Sequence, residues 1–307
     1  MASNLLIVVA GPTAAGKTTL AIDLAQRWNT EIVSADARQV YREMEIGTAK
    51  PTADDLKAVK HHFIGSQSIR DDYDAGTYGR EARACIGLLF RTHPVVILCG
   101  GSGLYISAVC DGFDDMPAIA DGIRDRIMAG YEEKGLGWLQ DEVKQKDPEY
   151  FAVVDQRNPH RLVRALEVFE ATGQPMSALR SNKKDAFPHP VVKVGVTLER
   201  GLLYQRIDAR VDAMLAAGLE AEARKLLPQS HLNALQTVGY SELFDYFNGI
   251  TGRDEAIRLI KRNTRHYAKR QLTWFKRDSD IAWFSPDQPH LVAEYCETRM
   301  AEFDIVP

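Results

Sequence analysis

Leu5-Leu6-Ile7-Val8-Val9-Ala10-Gly11-Pro12-Thr13-Ala14-Ala15-Gly16-Lys17-Thr18 is the stretch that decides the architecture of this chain. Six apolar, mostly branched residues halted by Gly-Pro have the length and composition of a strand buried on both faces. Gly11–Thr18 fits the pattern GxxxxGK[ST], and Leu20, Ala21, Leu24 and Ala25 then recur with helical spacing over Gly16–Trp28. Strand, glycine-bearing loop and helix in that order are the context in which such a loop cradles phosphate. Glycines let backbone N–H groups close on oxyanions, and the helix start adds a favourable dipole. Lys17 supplies a point charge, and the Thr18 hydroxyl is placed to ligate Mg²⁺. Gly11, Thr13, Ala14, Ala15, Gly16, Lys17 and Thr18 are therefore candidate contacts to linked phosphates, although the motif alone does not specify ATP.

Outward from this loop, Glu31–Ala35 reads as a second strand ending at Asp36, with a possible third at His61–Ile64. Gly76–Phe90 has helical spacing, and Pro94–Cys99 is another buried strand, closed by Gly100-Gly101. Strands separated by helices imply parallel βαβ units. From Phe113 to about Pro190 the strand pattern stops, and helical stretches occupy Ile123–Lys134, Trp138–Lys146 and Pro159–Ala171. Val191–Leu198 branches and alternates like a strand returning to the sheet, and the chain from Leu202 reads as mostly helical. The expectation is an α/β fold: a P-loop NTPase-like parallel sheet core from residues 1–112 and 190–307, with an α-helical insertion domain over 113–189.

The 307 residues are 45% hydrophobic and 26% charged, an ordinary globular composition. A net charge of −4 argues against indiscriminate polyanion binding over the whole surface but leaves room for a local basic face. Cys85, Cys99, Cys110 and Cys296 form no CxxC pair and no zinc-ligand spacing, so they read as buried small apolar residues in a reducing compartment. No run approaches the roughly 18 apolar residues of a membrane span, and a cytoplasmic location is expected.

A nucleoside triphosphatase would show a second strand running into a magnesium-holding Asp. Pro94–Cys99 instead continues as Gly100-Gly101-Ser102, and the strand-end carboxylate is Asp36. That leaves two roles for Asp36, a metal-associated group or a general base.

Ser34–Tyr41, Met44–Pro51, Gly100–Tyr105, Arg161–Glu167 and Val238–Tyr240, together with the GPTAAGKT loop, resemble the tRNA dimethylallyltransferase family. The matching blocks run in order from residue 11 to about residue 277, nearly the whole chain. The resemblance implies transfer of an isopentenyl group from dimethylallyl diphosphate to N6 of the adenosine beside the anticodon. It makes the phosphate loop a diphosphate site, Asp36 the proton acceptor and Arg210 a leaving-group contact, with Mg²⁺ assisting. Ser102 stands where the family commonly has Thr and keeps a hydroxyl for the base or for Asp36. Ala15 replaces a common Ser, Ala37-Arg38 replace Ser-Met beside the catalytic Asp, and His160 stands where Gln is frequent.

The resemblance also implies tRNA contacts at Asp36, Ala37, Arg38, Gln39, Ser102, Arg124, His160, Arg161, Arg164, Gly239, Tyr240, Arg265, Lys269 and Arg270. Independently, Arg258–Arg277 holds no acidic residue, and Arg258, Arg262, Arg265 and Lys269 share one helical face. Cations interleaved with His266, Tyr267, Trp274 and Phe275 suit a phosphate backbone and unstacked bases. A compact bacterial-type monomer is expected. The rival readings are an ATP-using small-molecule kinase and a non-catalytic RNA-binding protein.

Overall fold

Alternate residues of β1 (Leu5–Ala10) feed two different cores, which is why that strand reads as unbroken apolar sequence. Leu5, Ile7 and Val9 pack on one face with residues of the first and last helices; Leu6, Val8 and Ala10 pack on the other. The computed structural model describes residues 4–114, 116–117, 119–120, 122–180 and 185–306. After β1 come α1 (Lys17–Arg27), β2 (Ile32–Ser34), α2 (Ala53–Ala58), β3 (His61–His62), α3 (Ala75–Leu89), β4 (Val95–Gly100) and α4 (Gly103–Cys110). The chain then runs through α5 (Ile123–Lys146), α6 (Pro148–Val153), α7 (Pro159–Thr172) and α8 (Met176–Leu179). It continues with β5 (Val191–Val196), α9 (Arg200–Ala216), α10 (Leu219–Leu226), α11 (Tyr240–Phe247), α12 (Arg253–Phe275), β6 (Ile281–Phe284) and α13 (Pro289–Glu302).

The sheet is parallel throughout, in the order β3-β2-β4-β1-β5-β6. The chain leaves β1 for β2, beyond β4, and later reaches β5 on the opposite side of β1. Strand order thus reverses around β1, and ligands of open α/β sheets bind at the carboxyl ends beside such a reversal. The phosphate loop, Asp36 and the Gly100–Ser102 turn all follow those carboxyl ends.

The chain from Leu202 is mostly helical, as expected, with a strand, β6, that the sequence did not mark. Lys193–Val196 pair in parallel with Ile281–Phe284. Only Ile281 of this edge strand is fully buried, so its four residues lack the long apolar run that marks β1 and β4. One correction concerns the cysteines. Cys110 and Cys296 are buried, but Cys85 and Cys99 are partly exposed, and Cys99 lines the cavity described below.

Two compact units divide the chain, Met1–Gly112 with Ala186–Pro307, and Phe113–Asp185. The second is helical among its described residues, with Ile127, Leu139, Val143, Leu162, Val163 and Leu166 at its core. Gly135, at φ 78° and ψ −175°, interrupts α5 and separates the two helical stretches that the sequence marks there. Asp147 is almost wholly buried yet satisfied: its carboxylate accepts from Tyr150 N at 3.0 Å, Ser177 N at 2.9 Å and Ser177 Oγ at 2.6 Å.

Candidate active site

The phosphate loop departs from ordinary backbone where it must turn its amides inward. Ala14 adopts φ 63° and Gly16 φ 95°, both left-handed, and the glycine caps α1 with its backbone alone. Lys17 Nζ donates to the Pro12 carbonyl at 2.7 Å, which folds the lysine back across the loop. Burial pulls its pKa down to about 8, against the opposing pull of Cys99 and Asp36, while Arg210 pushes the same way as burial. Lys17, Thr18, Asp36 and Arg210 border one cavity of about 570 Å³.

Asp36 follows β2, and its Oδ1 accepts from the backbone N–H groups of Arg38 at 2.9 Å and Gln39 at 3.2 Å. Oδ2 has no hydrogen-bond partner among the described residues. The carboxylate is therefore oriented through one oxygen and open through the other. Ser102 contributes to that orientation through the neighbouring backbone: its Oγ accepts the Ala37 N–H at 2.9 Å. Tyr267 of α12 lies near Ser102, and burial together with the charge of Asp36 pushes its phenol up to about 12. Gln39 is committed to its own loop, donating to the Thr48 and Ala49 carbonyls at 3.2 and 3.0 Å. Arg38 and Ala37 border the cavity beside it.

Arg210, on α9, reaches the phosphate loop, donating from Nη1 to Thr13 Oγ1 at 3.3 Å. Its acidic neighbours in sequence pair elsewhere: Asp208 binds Arg265 at 2.5 Å, and Asp212 binds Lys261 at 2.6 Å. Arg206 faces Asp287 at 3.8 Å. From Arg210 the cavity continues along an apolar wall of Ile207, Val211, Met214, Leu219, Val238 and Ile260.

Several expected RNA contacts prove to be engaged in structure. Tyr240 is 0% exposed, and its hydroxyl donates to Glu222 at 2.6 Å, which removes its side chain from any RNA surface. Gly239, beside it, still lines the cavity. Arg265 holds Asp208 and lies over the Tyr204 ring, so it is neutralised within the protein. In the second unit Arg124 and Arg164 converge on Glu167, which is only 2% exposed, at 2.7 and 3.3 Å. His160 and Arg161, also on α7, are exposed. Lys269 and Arg270 are exposed too, and with His266, Thr273, Trp274 and Arg277 they line an open groove of about 520 Å³.

Two residues escaped the sequence reading. Glu222 accepts the backbone N–H groups of Glu45, Ile46 and Gly47 at 3.0, 2.8 and 3.0 Å, pinning the loop that borders the cavity. Gln271 bridges the phosphate loop and the β4–α4 turn. The role of each is defined by the distant backbone it meets, which no local spacing reveals.

No group of three or more His, Cys, Asp or Glu side chains suited to a metal occurs among the described residues. Mg²⁺ nevertheless needs few protein ligands where a substrate supplies phosphate oxygens. The Thr18 hydroxyl, bordering the same cavity as Asp36, fits that mode of binding. Among the described residues no helix is long and apolar enough to cross a membrane.

Fold and site together define a P-loop-type α/β protein in which residues of the phosphate-loop motif and Asp36 border one cavity. A profile described as IPP transferase matches residues 39–278. A tRNA dimethylallyltransferase of Cytophaga hutchinsonii is 46% identical over 297 residues, covering 97% of this chain and 98% of that protein. One of Christiangramia forsetii is 46% identical over 299 residues, covering 97% and 99%. The chain belongs to the IPP transferase family, and it is a prenyltransferase enzyme. The crystal structure of a full-length tRNA isopentenylpyrophosphate transferase of Bacillus halodurans superposes with a TM-score of 0.72 at 34% identity, covering 98% of each chain. A eukaryotic dimethylallyltransferase acting on tRNA shares the fold, with a TM-score of 0.77 at 24% identity, covering 92% of this chain and 74% of that one.

Proposed function

We propose that this enzyme transfers a dimethylallyl group from dimethylallyl diphosphate to N6 of the adenosine next to the anticodon of tRNA. The observation that carries the reading is the composition of one cavity: a phosphate loop with Arg210 at one side, an apolar wall beyond it, and the open oxygen of Asp36. The diphosphate fits against the loop amides, Lys17 and Arg210, and the five-carbon chain against Val211, Met214, Leu219 and Ile260. An ATP-using kinase is not favoured, since β4 ends without a carboxylate and the family and relatives that the chain matches are transferases of the isopentenyl type.

The exocyclic amine of adenine is a weak nucleophile, because its lone pair is delocalised into the ring. As the N6–carbon bond forms, the allylic C–O bond breaks and the electron pair leaves with diphosphate. The amine proton passes to Asp36 Oδ2, a general-base role worth about 10²–10⁴-fold. Lys17 and Arg210 stabilise the charge gathering on the departing diphosphate. Thr18 would hold Mg²⁺, which when bound neutralises part of that charge. Ser102 and the Arg38 and Gln39 amides keep Asp36 aimed. The RNA presents an unstacked base to the cavity; the exposed cations of α12 suit its phosphate backbone, as, within the second unit, do Arg161 and His160.

The deciding experiment incubates purified enzyme with labelled dimethylallyl diphosphate and unmodified tRNA, without ATP. Label should enter the RNA, and Asp36→Ala should lower the rate at least about 10²-fold while tRNA affinity stays within a few-fold. Full turnover by Asp36→Ala would remove Asp36 as the base; label that stays out of RNA with wild-type enzyme would remove the reaction.

A further inference from the structure

The side-chain amide of Gln271 stands between the two loops whose spacing the transfer reaction depends on. It is 6% exposed, on the face of α12 that also turns Thr264 and Tyr267 to the cavity. Its Oε1 accepts the Thr13 N–H at 2.8 Å, and its Nε2 donates to the Gly101 carbonyl at 2.8 Å. A Cβ at position 101 would fall 2.4 Å from Nε2, so only glycine admits the amide this close. The Thr13 N–H is therefore taken up by Gln271. The Thr13 hydroxyl is reached by Arg210.

The other arm of the bridge leads to the acceptor side. Gly101 precedes Ser102, whose hydroxyl holds the Ala37 N–H beside Asp36. One buried amide thus spans from the donor cradle to the turn that aims the general base. Its neighbours in sequence, Lys269 and Arg270, are exposed on the groove side of the same helix.

Resting on the proposed transfer reaction, we infer that Gln271 is a positioning residue that sets the phosphate loop against the Ser102 turn from the RNA-facing helix. It touches neither substrate. An amide suits the task because it offers one acceptor and one donor in fixed relation, and both partners are backbone groups that would otherwise be left unpaired in a buried place. Displacing a reacting group by about 1 Å can cost on the order of 10²-fold in rate, so the bridge should show in turnover more than in folding.

The test compares Gln271→Met, nearly isosteric but without the amide, with Gln271→Glu, which keeps an acceptor for Thr13 and puts an oxygen against the Gly101 carbonyl. Affinity for inorganic diphosphate, affinity for tRNA, kcat and melting temperature are measured on full-length enzyme. Q271M should weaken diphosphate binding about tenfold, the effect of one good hydrogen bond. It should lower kcat on the order of 10²-fold, with tRNA affinity within twofold and melting within a few degrees. Q271E should lower kcat comparably while holding diphosphate within about threefold of wild type, since the Thr13 bond survives. Should Q271M fail to fold, Gln271→Asn, which withdraws the amide by one methylene, must give the same split. Unchanged kcat in a folded variant overturns the inference, as does a parallel fall of both affinities and of melting temperature. Wild-type transfer, run alongside, separates the two failures: its absence sinks the reaction itself, and its presence with fully active variants sinks only the bridge.

Discussion

In the first half of α12, Arg258 holds Glu255 at 2.6 Å, Lys261 holds Asp212 at 2.6 Å, and Arg265 holds Asp208 at 2.5 Å, while Arg262 is exposed and meets only the Asn263 side chain. In the second half, Lys269 and Arg270, and just past the helix end Lys276 and Arg277, are exposed and have no acidic partner among the described residues. Both halves present cations at helical spacing, and the helix itself carries no acid after Glu255. The difference comes from α9, which lays Asp208 and Asp212 one helical turn apart against Lys261 and Arg265, also one turn apart. Spacing within a helix marks where charge is displayed; the neighbouring helix decides whether it is available to a polyanion. The same contrast occurs on α7, where Arg164 is drawn to Glu167 and Arg161 is exposed.

The largest effect should come from removing the free half. Lys269→Ala, Arg270→Ala and Arg277→Ala combined should weaken tRNA binding on the order of 10²-fold at low salt and flatten the log K against log[salt] slope by roughly 2, at about 0.7 per single-strand phosphate contact. Arg258→Ala, Lys261→Ala and Arg265→Ala combined should move the slope by less than about 1 and act mainly on melting temperature. Titrations of both triple variants across a salt series check this. Equal slopes for the two would erase the distinction between the halves.

That distinction was beyond the reach of the sequence, whereas much else was not. β1, β4, the phosphate loop and the helical second unit are legible because long apolar runs, a fixed glycine-lysine spacing and helical periodicity are local signals. Asp36 is legible by its place at a strand end. β6 is not, because a four-residue edge strand with one buried side chain offers no run to see. Arg265, Tyr240 and Gln271 are misread or missed for one shared reason: what each does is set by a partner between 18 and 258 residues away in the chain. Ion pairs and amide bridges across such separations leave no periodic trace.

Lys17 stands between the two kinds of cation, since its protein partner is the neutral Pro12 carbonyl and no carboxylate neutralises it directly. Its pKa of about 8 in the free enzyme must rise when a diphosphate arrives. Diphosphate binding should therefore take up a proton above pH 8, and affinity should fall roughly tenfold between pH 7 and 9. Stability of the ligand-free fold should move the other way. The unfolded chain, with an ordinary lysine, binds more protons than the folded one across this range, so stability contributed by this group rises as pH increases through 8. Calorimetry of diphosphate binding in buffers of different ionisation enthalpy reads the proton directly. An affinity flat from pH 7 to 9 would show that Lys17 is fully charged in the free loop.

The smallest effect tests the paired half from the opposite direction. Asp208→Asn leaves a neutral acceptor beside Arg265 and releases its charge, and because the pair is partly exposed the cost to stability should be only about 0.5 kcal/mol. Arg265 also lies over the Tyr204 ring at 5.9 Å, which tends to keep the guanidinium where it is. If the free half of α12 is the RNA face, tRNA affinity should rise by less than about threefold, as one added charge at the margin would give at moderate salt. A rise of tenfold or more would mean that Arg265 lies within reach of the backbone and is held in check by Asp208, moving the edge of the RNA face one helical turn towards the start of α12. A fall would mean that the Arg265–Asp208 pair orients something the RNA touches, and the division of the helix would then have to be drawn by geometry and not by charge.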